Sequence, residues 1–410
     1  MIKSFISLLT TVFIAGLLSM TLAISGAAAQ VIKIGAVLPT AEISGQDAAR
    51  AMQLAVKEIN AAGGLLGNQV ELIVENEAMT PEKAAEAVEK LVNMDKVDVI
   101  VGGTSNEITM EAIPALIKYE KVTVWMGASS RKVEDALEGQ DWFFHIHAWD
   151  YQIGAYKERM WRQIVQKYPS VKRKKIFVAY KEDPFGSDSF SVGKPVADAY
   201  RNIMQGEAYA STETEEGGIK SILSTAKDFF EPDIFIWNGP EKDAVVVLEA
   251  AKEVGFAPPA YVGKTLLWPA GFGKQLGSEG ILFYSYWHEA VKNRNRTSAA
   301  FVNAFRKEYN EAPQTYFGPL GYTNIMIVAD GIKRAGSLER DALMRALAAT
   351  EYESPLGDTL SFRRSLGIKH QSGANLKLMQ WQGGEVKVIW PWELATAKLI
   401  YPFPAQGFTK

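Results

Sequence analysis

The sequence contains no cysteine among its 410 residues. That removes disulfides, thiolate metal sites, a cysteine nucleophile and a lipid-modified cysteine at a leader cleavage site. It also lacks a surplus of positive charge. Lys and Arg number 44 against 47 Asp and Glu, a net charge of −3, and a nucleic-acid partner would want a basic face. The one basic run, Lys172-Arg173-Lys174-Lys175, directly precedes an apolar segment and reads as a solvated loop before a strand. Beyond the N-terminus no hydrophobic stretch approaches the length that spans a bilayer. There is no Gly-x-Ser-x-Gly elbow, no phosphate loop ending Gly-Lys-Ser/Thr, and no Gly-x-Gly-x-x-Gly after a strand. An enzyme and a cofactor are therefore not expected. His145-x-His147 could place two imidazoles on one face of a strand. No third ligand is spaced nearby, so a metal site is not expected either.

What is present begins with a leader. Lys3 precedes an apolar stretch from Phe5 to Ile24, and Ala27-Ala28-Ala29 gives a small-x-small cleavage site before Gln30. Residues 1–29 are expected to be a cleaved signal peptide. A chain exported without lipid anchor or disulfides suits a bacterial periplasm, with stability drawn from core packing. The body, 47% hydrophobic and 22% charged over the whole chain, is long enough for a large core and more than one domain.

From Val31 the pattern alternates strand and helix, which implies parallel sheets covered on both faces. The stretch from Val97 to Ser130 stands out. The apolar run Val97–Val101 leads into Gly102-Gly103-Thr104-Ser105-Asn106, and Val122–Met126 leads into Gly127-Ala128-Ser129-Ser130. In a parallel sheet two such turns lie side by side at strand ends. Each offers backbone N–H groups at a helix start, a site for an anion. The alternation restarts after His147 and continues to Val262. Three helices follow without intervening strands (Thr297–Tyr309, Tyr322–Ala335, Leu338–Ala349). The remainder alternates like antiparallel strands, with Gln382-Gly383-Gly384-Glu385 as a hairpin turn. Three helices alone make an odd third domain. They make sense if the chain returns to complete the first lobe and then crosses again.

Several segments carry a family likeness. Ile34-Gly35-Ala36-Val37-Leu38-Pro39 is followed by a helix ending Ile59-Asn60-Ala61-Ala62-Gly63-Gly64. Then come Val99-Ile100-Val101-Gly102 with its Thr-Ser-Asn turn, Gly127-Ala128-Ser129, Asp183-Pro184-Phe185-Gly186, and Lys377-Leu378-Met379-Gln380-Trp381. In this order the chain resembles the periplasmic ligand-binding proteins of branched-chain amino acid ABC transporters. The resemblance implies an α/β fold of type I periplasmic binding proteins: two doubly wound, Rossmann-like lobes joined by three hinge crossovers. Residues 30–147 and 282–358 are expected to form the N-terminal lobe, 148–281 and 359–395 the C-terminal lobe, and 396–410 a tail. The crossovers are expected near His145–Trp149, Leu282–Trp287 and Gly357–Gln371.

The resemblance also implies a function: a monomeric receptor that captures a small solute and delivers it to an ABC transporter permease in the inner membrane. A ligand sensor on the same fold, feeding a signalling partner, is the alternative. The matching positions for holding a ligand carboxylate are Ser105, Asn106, Ala128 and Ser129. Phe185, Asn238 and Phe317 are candidates for the opposite wall, Phe185 at a position where the family commonly has an aromatic residue. Family members that bind amino acids place a carboxylate after the strand matching Tyr261-Val262-Gly263, against the ligand ammonium. Here that loop reads Lys264-Thr265, which repels an ammonium and attracts an anion. Asp150, Asp183, Glu42 and Glu241 are the other carboxylates that could substitute. The ligand class thus stays open between an amino acid, a carboxylate without an amine, and an amide.

Overall fold

The computed structural model describes residues 31–408 apart from 79, 183, 213–217 and 374. The expected signal peptide and Asp183 lie outside the described residues, and so does the side chain of Phe185. Five apolar runs form β1 (Ile32–Leu38), β2 (Val70–Asn76), β3 (Val99–Gly102), β4 (Thr123–Trp125) and β5 (Phe143–His145). They run parallel in the order β2-β1-β3-β4-β5. The near-continuous burial of β1, β3, β4 and β5 is what a sheet covered on both faces demands. A second parallel group, β6 (Lys175–Lys181), β7 (Ile203–Tyr209), β8 (Ile234–Asn238), β9 (Ala260–Lys264) and β10 (Leu282–Ser285), follows in the order β7-β6-β8-β9-β10. The fold is therefore α/β with two doubly wound lobes.

The last strands tie the lobes together. β11 (Glu351–Glu353) and β12 (Thr359–Ser361) form a small separate hairpin. β13 (His370–Gln371) extends the first sheet by pairing with β5. β14 (Lys377–Gln382) and β15 (Glu385–Trp390) add an antiparallel edge to β10. Their hairpin turns through Gly383 and Gly384, at φ 60° and 79°, the left-handed pair a two-residue hairpin requires.

Three segments connect the sheets: 146–149, the stretch between Ser285 and the Arg296–Tyr309 helix, and 372–376. Two of the expected lobe boundaries do not follow the strands. Leu282–Ser285 stays in the second sheet, paired with both β9 and β14. His370–Gln371 still belongs to the first sheet, so the third crossover comes after Gln371. The reason lies in burial. An apolar strand such as Leu282-Phe283-Tyr284, nearly inaccessible to solvent, completes a sheet interior and cannot serve as an exposed strap.

The expected return of the chain to the first lobe is seen in the Phe317–Ala335 helix, which packs along the Ile43–Ala61 helix. The Phe317–Ala335 helix begins about five residues earlier than the expected Tyr322. Gly321 lets the two helices approach, because a Cβ there would sit 2.9 Å from the Ala48 carbonyl oxygen.

Candidate functional site

The two small polar turns lie at the carboxyl ends of adjacent strands β3 and β4, as parallel topology dictates. Gly103 takes φ +76°, and a Cβ there would fall 1.9 Å from the Trp125 indole. The first turn thus rests on Trp125, whose Nε1 donates to Thr109 Oγ1 at 3.0 Å. Ser105 caps the following helix by accepting from Ile108 N at 3.2 Å. Asn106 reaches sideways: its Oδ1 accepts from the backbone N–H groups of Ser129 (2.6 Å) and Ser130 (2.9 Å). Two amides of the second turn therefore already have an acceptor. That turn is also held from behind. His145 Nε2 meets the carbonyl oxygens of Gly127 and Ala128, both at 2.9 Å, and its Nδ1 lies 2.8 Å from Gln371 Oε1. Ala128 sits in the left-handed region at φ 65°.

A cavity of about 250 Å³ opens between the lobes. The first lobe contributes Ser129 and Tyr316. The second contributes Asp150, Lys157, Ser189, Asn238, Lys264 and Thr265, with His147, Tyr286 and Leu376 at the crossovers. Ile153, Val178, Val196, Met204 and Ile236 supply apolar wall. Of the residues expected to hold a ligand, Ser129, Asn238, Lys264 and Thr265 line this cavity; Ser105, Asn106, Ala128 and Phe317 do not. Ser105 and Asn106 are spent on capping and on joining the turns. Phe317 stacks on Tyr316 at 4.5 Å between ring centroids and is buried behind it. Asp150 lines the cavity; Glu42 and Glu241 do not.

Strand register explains the second wall. Asn238 ends β8 and Lys264 ends β9, directly paired across the sheet. Both project at the strand ends, where ligands bind in open parallel sheets. Lys264 Nζ donates to Ser189 Oγ. Lys157 reaches the same wall from the Asp150–Lys167 helix, with its Nζ 4.8 Å from the Tyr284 ring centroid. Burial pushes the Lys264 ammonium down to about 7; the neighbouring Lys157 lowers it further and Asp150 opposes. Burial likewise takes Lys157 down to about 8, against the pull of Asp150. His147 falls to about 3, through burial first and then its neighbour His145, so it is neutral at physiological pH. Glu158 also lines the cavity, but Arg173 Nη1 donates to it at 2.6 Å. Both side-chain polar atoms of Asn238, and the Tyr286 hydroxyl, are buried without a hydrogen-bond partner. Buried polar groups are nearly always paired, so these atoms have bonding capacity to spare inside the cavity.

Lys157, Ser189, Tyr286 and Tyr316 escaped the sequence reading, and His147 was weighed there only as a metal ligand. One signal for Lys157 was available. Ile153, Gly154, Lys157 and Trp161 recur at helical spacing, which puts a lysine on the face that carries a glycine and a tryptophan. No cluster of three or more metal-ligating side chains occurs among the described residues. No helix among them is long and apolar enough to cross a membrane.

Residues 31–385 match the periplasmic binding protein family. The chain belongs to that family. Periplasmic binding proteins bind small-molecule ligands and work with ABC transporter permeases; the family consists of solute-binding proteins, not enzymes. The Leu/Ile/Val-binding protein homolog 7 of Brucella abortus is 23% identical over 393 residues, covering 90% of this chain and 94% of that protein. The branched-chain amino acid transporter substrate-binding protein of Streptococcus pneumoniae, solved with isoleucine, superposes with a TM-score of 0.70. It has 22% identity and covers 88% of this chain and all of the other. A solute-binding protein of R. palustris solved with benzoate gives 0.69 at 20% identity, covering 88% and 96%. These likenesses establish the two-lobed fold of periplasmic binding proteins.

Proposed function

We propose that this chain is the extracytoplasmic receptor of an ABC importer, capturing a small carboxylate-bearing or amide solute by closing its lobes over the cleft. An apolar amino acid or a related organic acid fits this description. The observation that carries the reading is the cavity between the lobes. Ser129 faces it from the first lobe, and Asn238 and Lys264 from the second. A solute touching both walls stabilises the closed arrangement and shifts the equilibrium towards it. About 250 Å³ is the liquid volume of about eight waters, room for a small solute. The relatives support the class: one is named for Leu, Ile and Val, and one structure holds benzoate. The partner is an inner-membrane permease, and the receptor acts as a periplasmic monomer once its leader is removed.

A thermal-shift screen tests this, using amino acids, their deaminated analogues, aromatic acids and amides. A true ligand at a hundredfold excess over its Kd adds about 2.7 kcal/mol. X-ray scattering with that ligand should show a smaller radius of gyration. If no compound in these classes shifts the melting point, the assignment fails.

A further inference from the structure

We infer that the solute carries an extended apolar tail, and that this tail runs inside the second lobe, between its sheet and the two helices that cover it. This rests on the cleft being a solute site, as proposed above, and goes on to name the solute's length and direction.

Strand register traces the course of the cavity. Tyr180, Asn238 and Lys264 pair across β6, β8 and β9 at the strand ends that meet the cleft. Two residues further in, Val178 pairs with Ile236, and two further still comes Ile176. Side chains alternate along a strand, so these positions share one face of the sheet. Asn238, Ile236, Val178 and Ile176 all line the cavity. It therefore reaches four residues inward from the strand ends, a depth of about 13 Å at about 3.3 Å per residue.

The Asp150–Lys167 and Pro184–Ala199 helices lie over this face. Met160 and Trp161 of the first share a core cluster with Ile176 and Val178, and Phe190 of the second stacks on Tyr180 at 5.0 Å between ring centroids. The deep end is walled by Trp161, by Val196 and Ala197 from the last turn of the second helix, and by Met204 of β7. Two glycines set the space. Gly154 lets the helices touch, because a Cβ there would sit 2.7 Å from a Val196 methyl. Gly193 is different. The nearest atom to a Cβ there would be Met204 Sδ at 3.8 Å, an ordinary contact. At Gly193, which lines the cavity, the helix stands clear of β7.

The polar groups of this inner part bond one another. Glu158 accepts from Arg173 Nη1 at 2.6 Å and from Asn202 Nδ2 at 3.2 Å. Trp161 Nε1 donates to the Tyr284 hydroxyl at 2.7 Å, and the Lys157 ammonium lies over the Tyr284 ring. Water held in a cavity needs two to four polar partners. A hydrocarbon chain needs none and gains by leaving water. Ser129, Asn238 and Thr265 stand at the mouth, so the solute's polar head stays in the cleft and its tail points into the lobe.

The experiment is titration calorimetry on the mature chain with butanoate, hexanoate and octanoate, and with the matching 2-amino acids and primary amides, so that the outcome does not depend on the head group. Leucine and benzoate are included as compact solutes. In the series whose head fits, affinity should rise about threefold for each added methylene, about a hundredfold from four carbons to eight. Gly193→Leu puts a side chain into the deep end without a clash. It should weaken the eight-carbon compound by about tenfold or more, while the melting temperature stays at or above that of the wild type, because glycine is a poor helix residue. The wild-type series decides should the variant not fold. Affinity that falls beyond six carbons in every series, or an eight-carbon compound indifferent to Gly193→Leu, would overturn the inference and leave the receptor function intact. Silence from every compound would remove both.

Discussion

Asn106 offers a sharp test of how the first lobe is built. Its Oδ1 accepts from Ser129 N and Ser130 N, joining turns 23 and 24 residues apart in sequence. Asn106→Ala removes the acceptor and leaves two N–H donors. Each net hydrogen bond is worth about 1 kcal/mol, and a fully buried orphan would cost about 1–3 kcal/mol. Ser129 and Ser130 are half-buried, so water can reach part of each donor and the cost stays near the lower figure. The change to Ala at a helix start returns a few tenths of a kcal/mol through propensity. The net loss should be about 1–2 kcal/mol. Asn106→Asp keeps the acceptor and adds charge at the helix N-terminus, where an anion gains about 0.3–1 kcal/mol. The expected order of stability at pH 7.5 is Asp at or above wild type, and Ala below both. Urea unfolding followed by tryptophan fluorescence measures it. A second readout separates the hydrogen bonds from general damage. The Ala variant exposes two amides that an acetate ion can occupy, so millimolar acetate should restore part of its stability and leave wild type unchanged. An Ala variant as stable as wild type, or one indifferent to acetate, would refute the account of these turns as a self-filled anion site.

Other expectations follow from single features. Glu77 is buried with Thr104 Oγ1 donating to it at 3.4 Å, and burial pushes its carboxyl from 4.5 up to about 7. The folded state therefore binds the proton more tightly, and stability falls as pH rises from about 4.5 to 7. Glu77→Gln should flatten that slope and gain about 2–3 kcal/mol at pH 8, as read by melting curves across pH. Lys377, fully buried, donates to Asp358 at 2.5 Å. Asp358→Ala strands that charge and should cost about 3–5 kcal/mol, whereas the pair Lys377→Met with Asp358→Leu should recover most of it; urea midpoints decide. Gly103→Ala forces a Cβ into Trp125 at a positive φ and should destabilise by about 2 kcal/mol or more, with a shift in tryptophan emission.

Much of the fold was legible because its signals are local. Burial on both faces writes near-continuous apolar runs such as Val99-Ile100-Val101, and helix stops such as Gly63-Gly64 mark the ends. The return of the chain to the first lobe could be inferred from three helices lacking strands to cover. Two of the lobe boundaries were not legible. Whether Leu282–Ser285 pairs with β9 or crosses to the other sheet depends on partners more than ninety residues away, such as Gln380 opposite Leu282. The site divided in the same way. Lys264 was visible as a charge where a carboxylate was expected. Its companion Lys157 was not, because a lysine on an amphipathic helix reads as solvent-facing until the opposing wall is known. Asn106 had the opposite fate: its residue type suits a ligand contact, and its geometry spends it on the neighbouring turn.

The order of the strands also bears on how the chain comes into being. The Ile43–Ala61 helix is covered by the Phe317–Ala335 helix, and the second sheet is unfinished until β14 and β15, at 377–390. A growing chain therefore holds neither sheet complete until residues 370–390 have been synthesised. Pairings so distant in sequence form slowly. Slow completion leaves the polypeptide loose for most of its synthesis, the condition in which a protein can be threaded through a narrow channel before it locks into shape.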